Sequence, residues 1–233
     1  MRTIAVFLFS LSLYHASGQG LSRDFPQSNE VEFISWLNDT LGPEEWPIYN
    51  GATYPLVKKA KFGHQFFGNI QWQSGSVKYL DRWFFDVQLL YDITSNQLMV
   101  KPRDATQTFG ILLEMAHVQA FSIGGSFFKK VPELDSRNFF YEVLYAGEHL
   151  ELIVRHVKEI ELESSGTHAK ALDTYLIKMD QGFVTLKNKK SLEEIDPNSK
   201  AIAKEIKSSD AKFDLRKPDL LVNFIRKFND RIE

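Results

Sequence analysis

Along residues 82–93, RWFFDVQLLYDI, apolar side chains fall on every second position: Trp83, Phe85, Val87, Leu89, Tyr91 and Ile93. Arg82, Asp86, Gln88 and Asp92 hold most of the positions between. A period of two marks a β-strand with one face turned inward. The same period recurs from Phe62 to Leu186, in FFGNIQW, SVKYL, QLMVK, FGILLEM, HVQAFSI, SFFKKV, NFFYEVLYA, HLELIVRHVKEIELE, DTYLIKM and GFVTLK. Ser74-Gly75, Thr94-Ser95-Asn96, Gly124-Gly125 and Ala146-Gly147 stand where hairpin turns are expected. Gaps this short suit antiparallel neighbours, because a parallel crossover needs about a dozen residues or more. The pattern predicts a mainly β domain over residues 62–187, an antiparallel meander that forms a sandwich or a partly open barrel.

The period changes on either side of that domain. Residues 19–61 hold Pro26, Pro43, Pro47 and Pro55 and show little periodicity, so they read as an irregular lead-in pinned to the body by Trp36, Trp46 and Tyr54. After Lys187 the spacing becomes helical. Ser191 with Glu194 has the form of a capping box, Asp196-Pro197 has the form of a helix start, and Leu220, Leu221, Phe224, Ile225 and Phe228 make an apolar stripe beyond Pro218. Residues 188–233 are therefore expected to be a helical segment packed on the sheet.

Burying one large apolar side chain contributes about 1.5–3 kcal/mol, so the row from Trp83 to Ile93 is expected to face the core. A second reading lets Trp83, Phe85, Val87, Leu89 and Tyr91 line a ligand cavity inside a half-barrel.

The first 18 residues have the parts of a secretory signal: Arg2, an apolar run from Ile4 to Leu13, and small residues at Ala16 and Gly18. Cleavage after Gly18 would place the mature chain outside the cytoplasm, secreted or periplasmic, with no later apolar segment able to span a membrane as a helix. The chain has no cysteine, which removes disulfides, thiol catalysis and thiolate metal sites. Loss of Arg2 moves the formal charge from −2 to −3, a balance that argues against nucleic acid as a partner. Residues 187–233 carry 12 basic and 9 acidic side chains, against 15 and 21 over residues 19–186, so the tail is mildly basic.

Catalytic motifs are absent. His64, His117, His149, His156 and His168 form no H-x-x-x-H or H-x-H pair, and no nucleophile elbow, phosphate loop or dinucleotide fingerprint occurs. Glu159, Glu161 and Glu163 alternate along one strand, a pattern that suits a solvated edge better than a metal site. Asp86 and Asp92 lie about 20 Å apart along a strand, too far for paired glycosidase acids. No catalytic residue, metal ligand or cofactor is assigned. Asn38-Asp39-Thr40 matches a glycosylation sequon of a kind that arises often by chance.

The segments GSVKYLDRWFFDVQLLYDITSNQLMV (75–100), FFYEVLYAGEHLEL (139–152) and LKNKKSLEEI (186–195) give the chain a pattern of strands and turns. In that pattern it resembles a loose family of uncharacterised secreted β-rich proteins of Bacteroidota-type bacteria. The resemblance implies a cell-envelope or secreted location and brings no site residues. The expected function is a non-enzymatic binding or scaffolding protein of the envelope, with an unknown envelope protein or an apolar ligand as partner. The alternative is a carrier of lipid or another apolar ligand. A third reading, a hydrolase, would need a carboxylate–histidine pair or two carboxylates contributed by different strands.

Overall fold

The computed structural model describes residues 28–42, 46–56, 58–104, 109–134, 139–207 and 212–232; residues 1–18, expected as a signal segment, lie outside them. Eleven strands among these residues form one antiparallel sheet that does not close. They are β1 (Thr53–Pro55), β2 (Gln73–Tyr79), β3 (Arg82–Asp92), β4 (Gln97–Val100), β5 (Phe109–Leu112), β6 (Val118–Ile123), β7 (Ser126–Lys130), β8 (Phe140–Ala146), β9 (Glu151–Glu163), β10 (Gly166–Met179) and β11 (Gly182–Leu186). The order is β1-β5-β4-β3-β2-β6-β7-β8-β9-β10-β11, two meanders joined where β6 pairs with β2. The expected mainly β, antiparallel architecture is what the chain adopts, as one open sheet.

Two devices curl the sheet. The first is a bulge in β3. Val77 pairs with Phe84 while Gly75 pairs with Val87, so Phe85 and Asp86 together face the single residue Ser76, and Asp86 has φ +54°. The extra residue switches the parity of the strand. Phe84, and not Phe85, joins Val87, Leu89 and Tyr91 in the main core. Trp83 and Phe85 share the opposite face and stack at 5.9 Å. The expectation that Trp83 to Ile93 forms one inward row is thus corrected: a bulge splits it.

The bulge also bends β3. Leu113 N–H donates to Leu98, which pairs with Tyr91, and Leu80 N–H, one turn before Arg82, donates to His117. Residues 113–117 reach at most about 14 Å, whereas a straight strand from Arg82 to Tyr91 would be about 30 Å long. Both ends of β3 thus lie near one short loop, in keeping with the bend that a bulge at Asp86 puts into the strand.

The second device is a strap. Phe62 bridges His168 at the edge of β10, and Phe66 bridges Asp92 at the end of β3. These partners stand six strand steps apart in the sheet order, about 29 Å along a flat sheet, yet residues 62–66 span about 14 Å. The strap therefore holds the curl across its open side. FFGNIQW, expected as a strand, contributes only the Phe66 bridge. Gly68 has φ +61° and the Asn69 side chain accepts from Gln71 N–H at 2.7 Å, which turns the backbone out of the ladder.

Phe84, Val87, Leu89, Tyr91, Phe121, Phe128 and Phe140 fill the curl, with Phe121 and Phe128 stacked at 4.8 Å and Tyr91 edge-on to both. The lead-in is more ordered than its prolines suggest: Ser28–Leu41 is a helix, α1. Trp46 reaches Phe84 at 5.3 Å and the Tyr54 hydroxyl donates to Asp92 at 2.8 Å, whereas Trp36 is exposed and leans on Phe33. Asn38, the sequon residue, is buried, donating to Trp83 and accepting from Arg82. At the far end α2 (Ser199–Lys207) and α3 (Pro218–Asn229) cover the sheet with Phe224, Ile225 and Phe228 against Leu152, Val154 and Ile177. Before them Lys189–Glu194 is a 3-10 helix capped by Asn188, so the expected capping role of Ser191 passes to Asn188. Ser74-Gly75, expected as a turn, lies inside β2.

Candidate functional site

A charged seam crosses the inward face between two apolar regions. Phe128, Glu142 and Val154 pair in one row across β7, β8 and β9, and His156 pairs with Asp173 across β9 and β10. That register brings Glu142, His156 and Asp173 together. His156 Nδ1 lies 2.8 Å from Asp173 Oδ1, and Nε2 lies 2.7 Å from Glu142 Oε2. Burial alone would lower the imidazole pKa, but the hydrogen bonds and charges of Asp173 and Glu142 outweigh it and raise the pKa to about 9. His156 is accordingly an imidazolium at neutral pH, donating from both nitrogens. The Phe67 and Phe128 rings close over it at 5.1 and 6.2 Å.

The strap completes the seam. Lys158 Nζ donates to the Phe66 carbonyl at 2.6 Å and stands 3.5 Å from His64 Nδ1. Burial lowers the Lys158 pKa despite the charges of Asp173 and Asp92, and burial with Lys158 and Lys58 lowers that of His64. Chemically the seam is a carboxylate–histidine–carboxylate group drawn from three strands, the sign that a hydrolase requires. Its imidazole, however, occupies the space between the acids where water or substrate would bind, and neither nitrogen is free to take a proton.

A cleft of about 620 Å³ opens elsewhere, at the inside of the β3 bend. Its apolar wall is Tyr79, Leu80, Leu112, Leu113 and Met115; Gln97, Glu114 and His117 supply polar groups. The volume lies within the usual ligand-site range of about 300–1,000 Å³, and the mixture of apolar wall with a few polar groups is typical of such sites. His117 meets the Tyr79 ring edge-on at 5.8 Å, and its carbonyl accepts from Leu80 N–H at 3.1 Å. Lys130 Nζ donates to the Met115 carbonyl at 2.6 Å and ties the loop to β7. At the rim, Leu80 and Asp81 form the β2–β3 turn with φ +51° and +62°, both left-handed. Such turns are the usual place for Asn-Gly, so a leucine here is strained.

The five residues named as cavity-lining divide between two faces. Val87, Leu89 and Tyr91 are buried in the aromatic core, and Trp83 and Phe85 lie on the other face. The 620 Å³ cleft is lined by none of them. Its link to the row is indirect, because Tyr79 and Leu113 belong to the same core as Leu89 and Tyr91. Periodicity gave no hint of the cleft, which depends on the bend and the crossover. Leu80 ends the run SVKYL and Asp81 alone separates it from the next, a gap too short for a turn unless Leu80 joins it, and that was the available signal. Glu159, Glu161 and Glu163 lie on the far part of β9, where Lys170 pairs with Glu161 at 3.2 Å and His168 approaches Glu163 at 3.7 Å. Among the described residues no group of three His, Asp or Glu side chains is placed to hold a metal ion, and no helix is long and apolar enough to cross a membrane. Comparison of the chain with protein-family models, curated proteins and solved structures finds no match.

Proposed function

We propose that the protein is an exported, non-catalytic binding protein that takes a small, partly apolar ligand in the cleft at the β3 bend. The observation that carries this reading is the strained Leu80 at the rim of a ligand-sized cleft. A left-handed leucine costs about 1–2 kcal/mol and gains little from burial, since its side chain is half-exposed. Strain of this kind is retained where the side chain has a task, and Leu80 is placed to close over an apolar ligand. Occupation of both His156 nitrogens supports the non-catalytic part of the reading, and the apolar run at residues 4–13 supports export.

Native mass spectrometry of protein purified from its own source tests the reading. A co-purifying small molecule is expected, and its occupancy should fall when Leu113→Asp places a carboxylate in the cleft wall. A ligand-free mass, or a ligand indifferent to that change, counts against the cleft. A circular dichroism spectrum of the variant separates lost binding from lost folding, and Leu80→Asp at the rim repeats the test where folding is not at stake.

A second reading, scaffolding, is favoured by the outer part of the β9–β10 hairpin. β8 pairs with β9 no further than Val154, and β11 pairs with β10 no further than Tyr175, so residues 155–163 and 166–174 extend past both strands, met along the β10 edge by the strap at His168. Leu162 at its tip is 82% exposed. A partner protein could add a strand along β10 at residues 170–174.

A further inference from the structure

A second cleft, of about 300 Å³, lies between the 3-10 helix Lys189–Glu194 and the first turns of α2, remote in the fold from the β3 bend. Lys189, Lys190, Lys200 and Lys204 line it with Glu193, an excess of three positive charges. Two of the lysines are engaged: Lys200 pairs with Glu193 at 3.3 Å, and Lys189 donates to the Ala203 carbonyl at 3.3 Å. The ammonium groups of Lys190 and Lys204 have no partner among the described residues. Like charges gathered round a concavity oppose one another unless a counter-charge enters.

The wall of the cleft supplies an independent observation. Ser199 lines it at the start of α2, is 2% exposed, and its hydroxyl has no hydrogen-bond partner among the described residues. A buried hydroxyl left in that state costs about 1–3 kcal/mol, so a polar atom from a ligand is the natural complement. Asp196 accepts from Asn198 N–H in the turn before α2, and it does not line the cleft. The ligand therefore needs several acceptor oxygens, more than one negative charge and a small size. A carboxylate meets the first condition and falls short on the second. A phosphoryl group meets all three, and lysine serves such groups as a point charge.

We propose that this cleft binds a phosphoryl group, with Lys190 and Lys204 supplying the charge and the Ser199 hydroxyl donating to a phosphoryl oxygen. The ligand is either a small phosphorylated solute or the phosphate of a lipid headgroup, and the tail's basic balance suits both.

Isothermal titration of the purified protein with inorganic phosphate and with glycerol 3-phosphate at low salt tests the assignment, alongside co-sedimentation with phosphatidylglycerol vesicles. Saturable binding of a phosphate probe, or of the vesicles, is expected. It should weaken about tenfold in K190A/K204A and severalfold in Ser199→Ala, and fall as salt is raised. The two lysines are exposed, so the double variant should keep its melting temperature without phosphate and lose the rise that phosphate gives the wild type. Binding to vesicles with none to soluble phosphates identifies a headgroup, and binding to soluble phosphates identifies a solute. Absence of both, or equal binding by wild type and K190A/K204A, overturns the proposal.

Discussion

At the scale of single residues, backbone conformation says more about this molecule than side-chain type. Leu80 pairs an unfavourable φ with an apolar side chain that the fold leaves half-exposed. Replacing it by asparagine keeps the turn and removes the strain. Leu80→Asn is therefore expected to stabilise the protein by about 1 kcal/mol, read as a raised urea midpoint, and to lower occupancy of the cleft. A variant that gains stability and keeps its ligand would mean that the strain serves nothing. Asp92 illustrates the other side of the same scale. Its carboxylate is fully buried, accepting from Thr94 and Ser95 N–H, the Tyr54 hydroxyl and Lys59. Burial would raise its pKa, but those bonds outweigh burial and hold it below the usual carboxylate value. In the sequence, Asp92 and the exposed Asp86 look alike, since nothing local shows that Tyr54 and Lys59 return to cover one of them.

Elements were legible wherever a local period decides the outcome. Period two located ten of the runs that contribute strands, and the Pro218 stripe located α3. The failures have particular physical causes. A bulge keeps the period on each side of itself and reverses its meaning, so Trp83 and Phe85 look continuous with Val87 and are not. Helix α1 was hidden because it lies among prolines and exposes Phe33 and Trp36, which blurs its stripe. Gly75 was read as a turn residue because glycine punctuates chains. In the sheet it is required by contact instead: a Cβ there would stand 2.0 Å from the Ser122 carbonyl oxygen on β6. Gly75→Ala should force β2 and β6 apart where the two meanders join and cost about 2 kcal/mol or more by chemical denaturation, whereas Ser74→Ala, exposed beside it, should stay within about 0.5 kcal/mol. Equal costs would show that β2 and β6 yield there.

For the molecule as a whole, the seam is the feature least visible in sequence and most exposed to test. Glu142, His156 and Asp173 are separated by 14 and 17 positions, and only the registers of two strand pairings bring them together. Their position between the two apolar clusters ties β8, β9 and β10 together through one imidazole. The folded pKa of about 9 lies above the unfolded value of about 6.5, so the seam's contribution is complete below pH 6.5 and is lost as pH rises through 9. With His156 mostly buried, the loss is on the order of 2–3 kcal/mol. Burial lowers the pKa of Lys130 and Lys158, which acts with the opposite sign. Unfolding free energies at pH 6 and pH 9.5 should therefore differ by about that amount in the wild type. His156→Gln, which keeps one donor and carries no charge, should be less stable at pH 6 and should lose much less over the same interval. A wild type indifferent to pH in this window would mean that packing by Phe67 and Phe128, and not charge, holds β8, β9 and β10 in register at the seam.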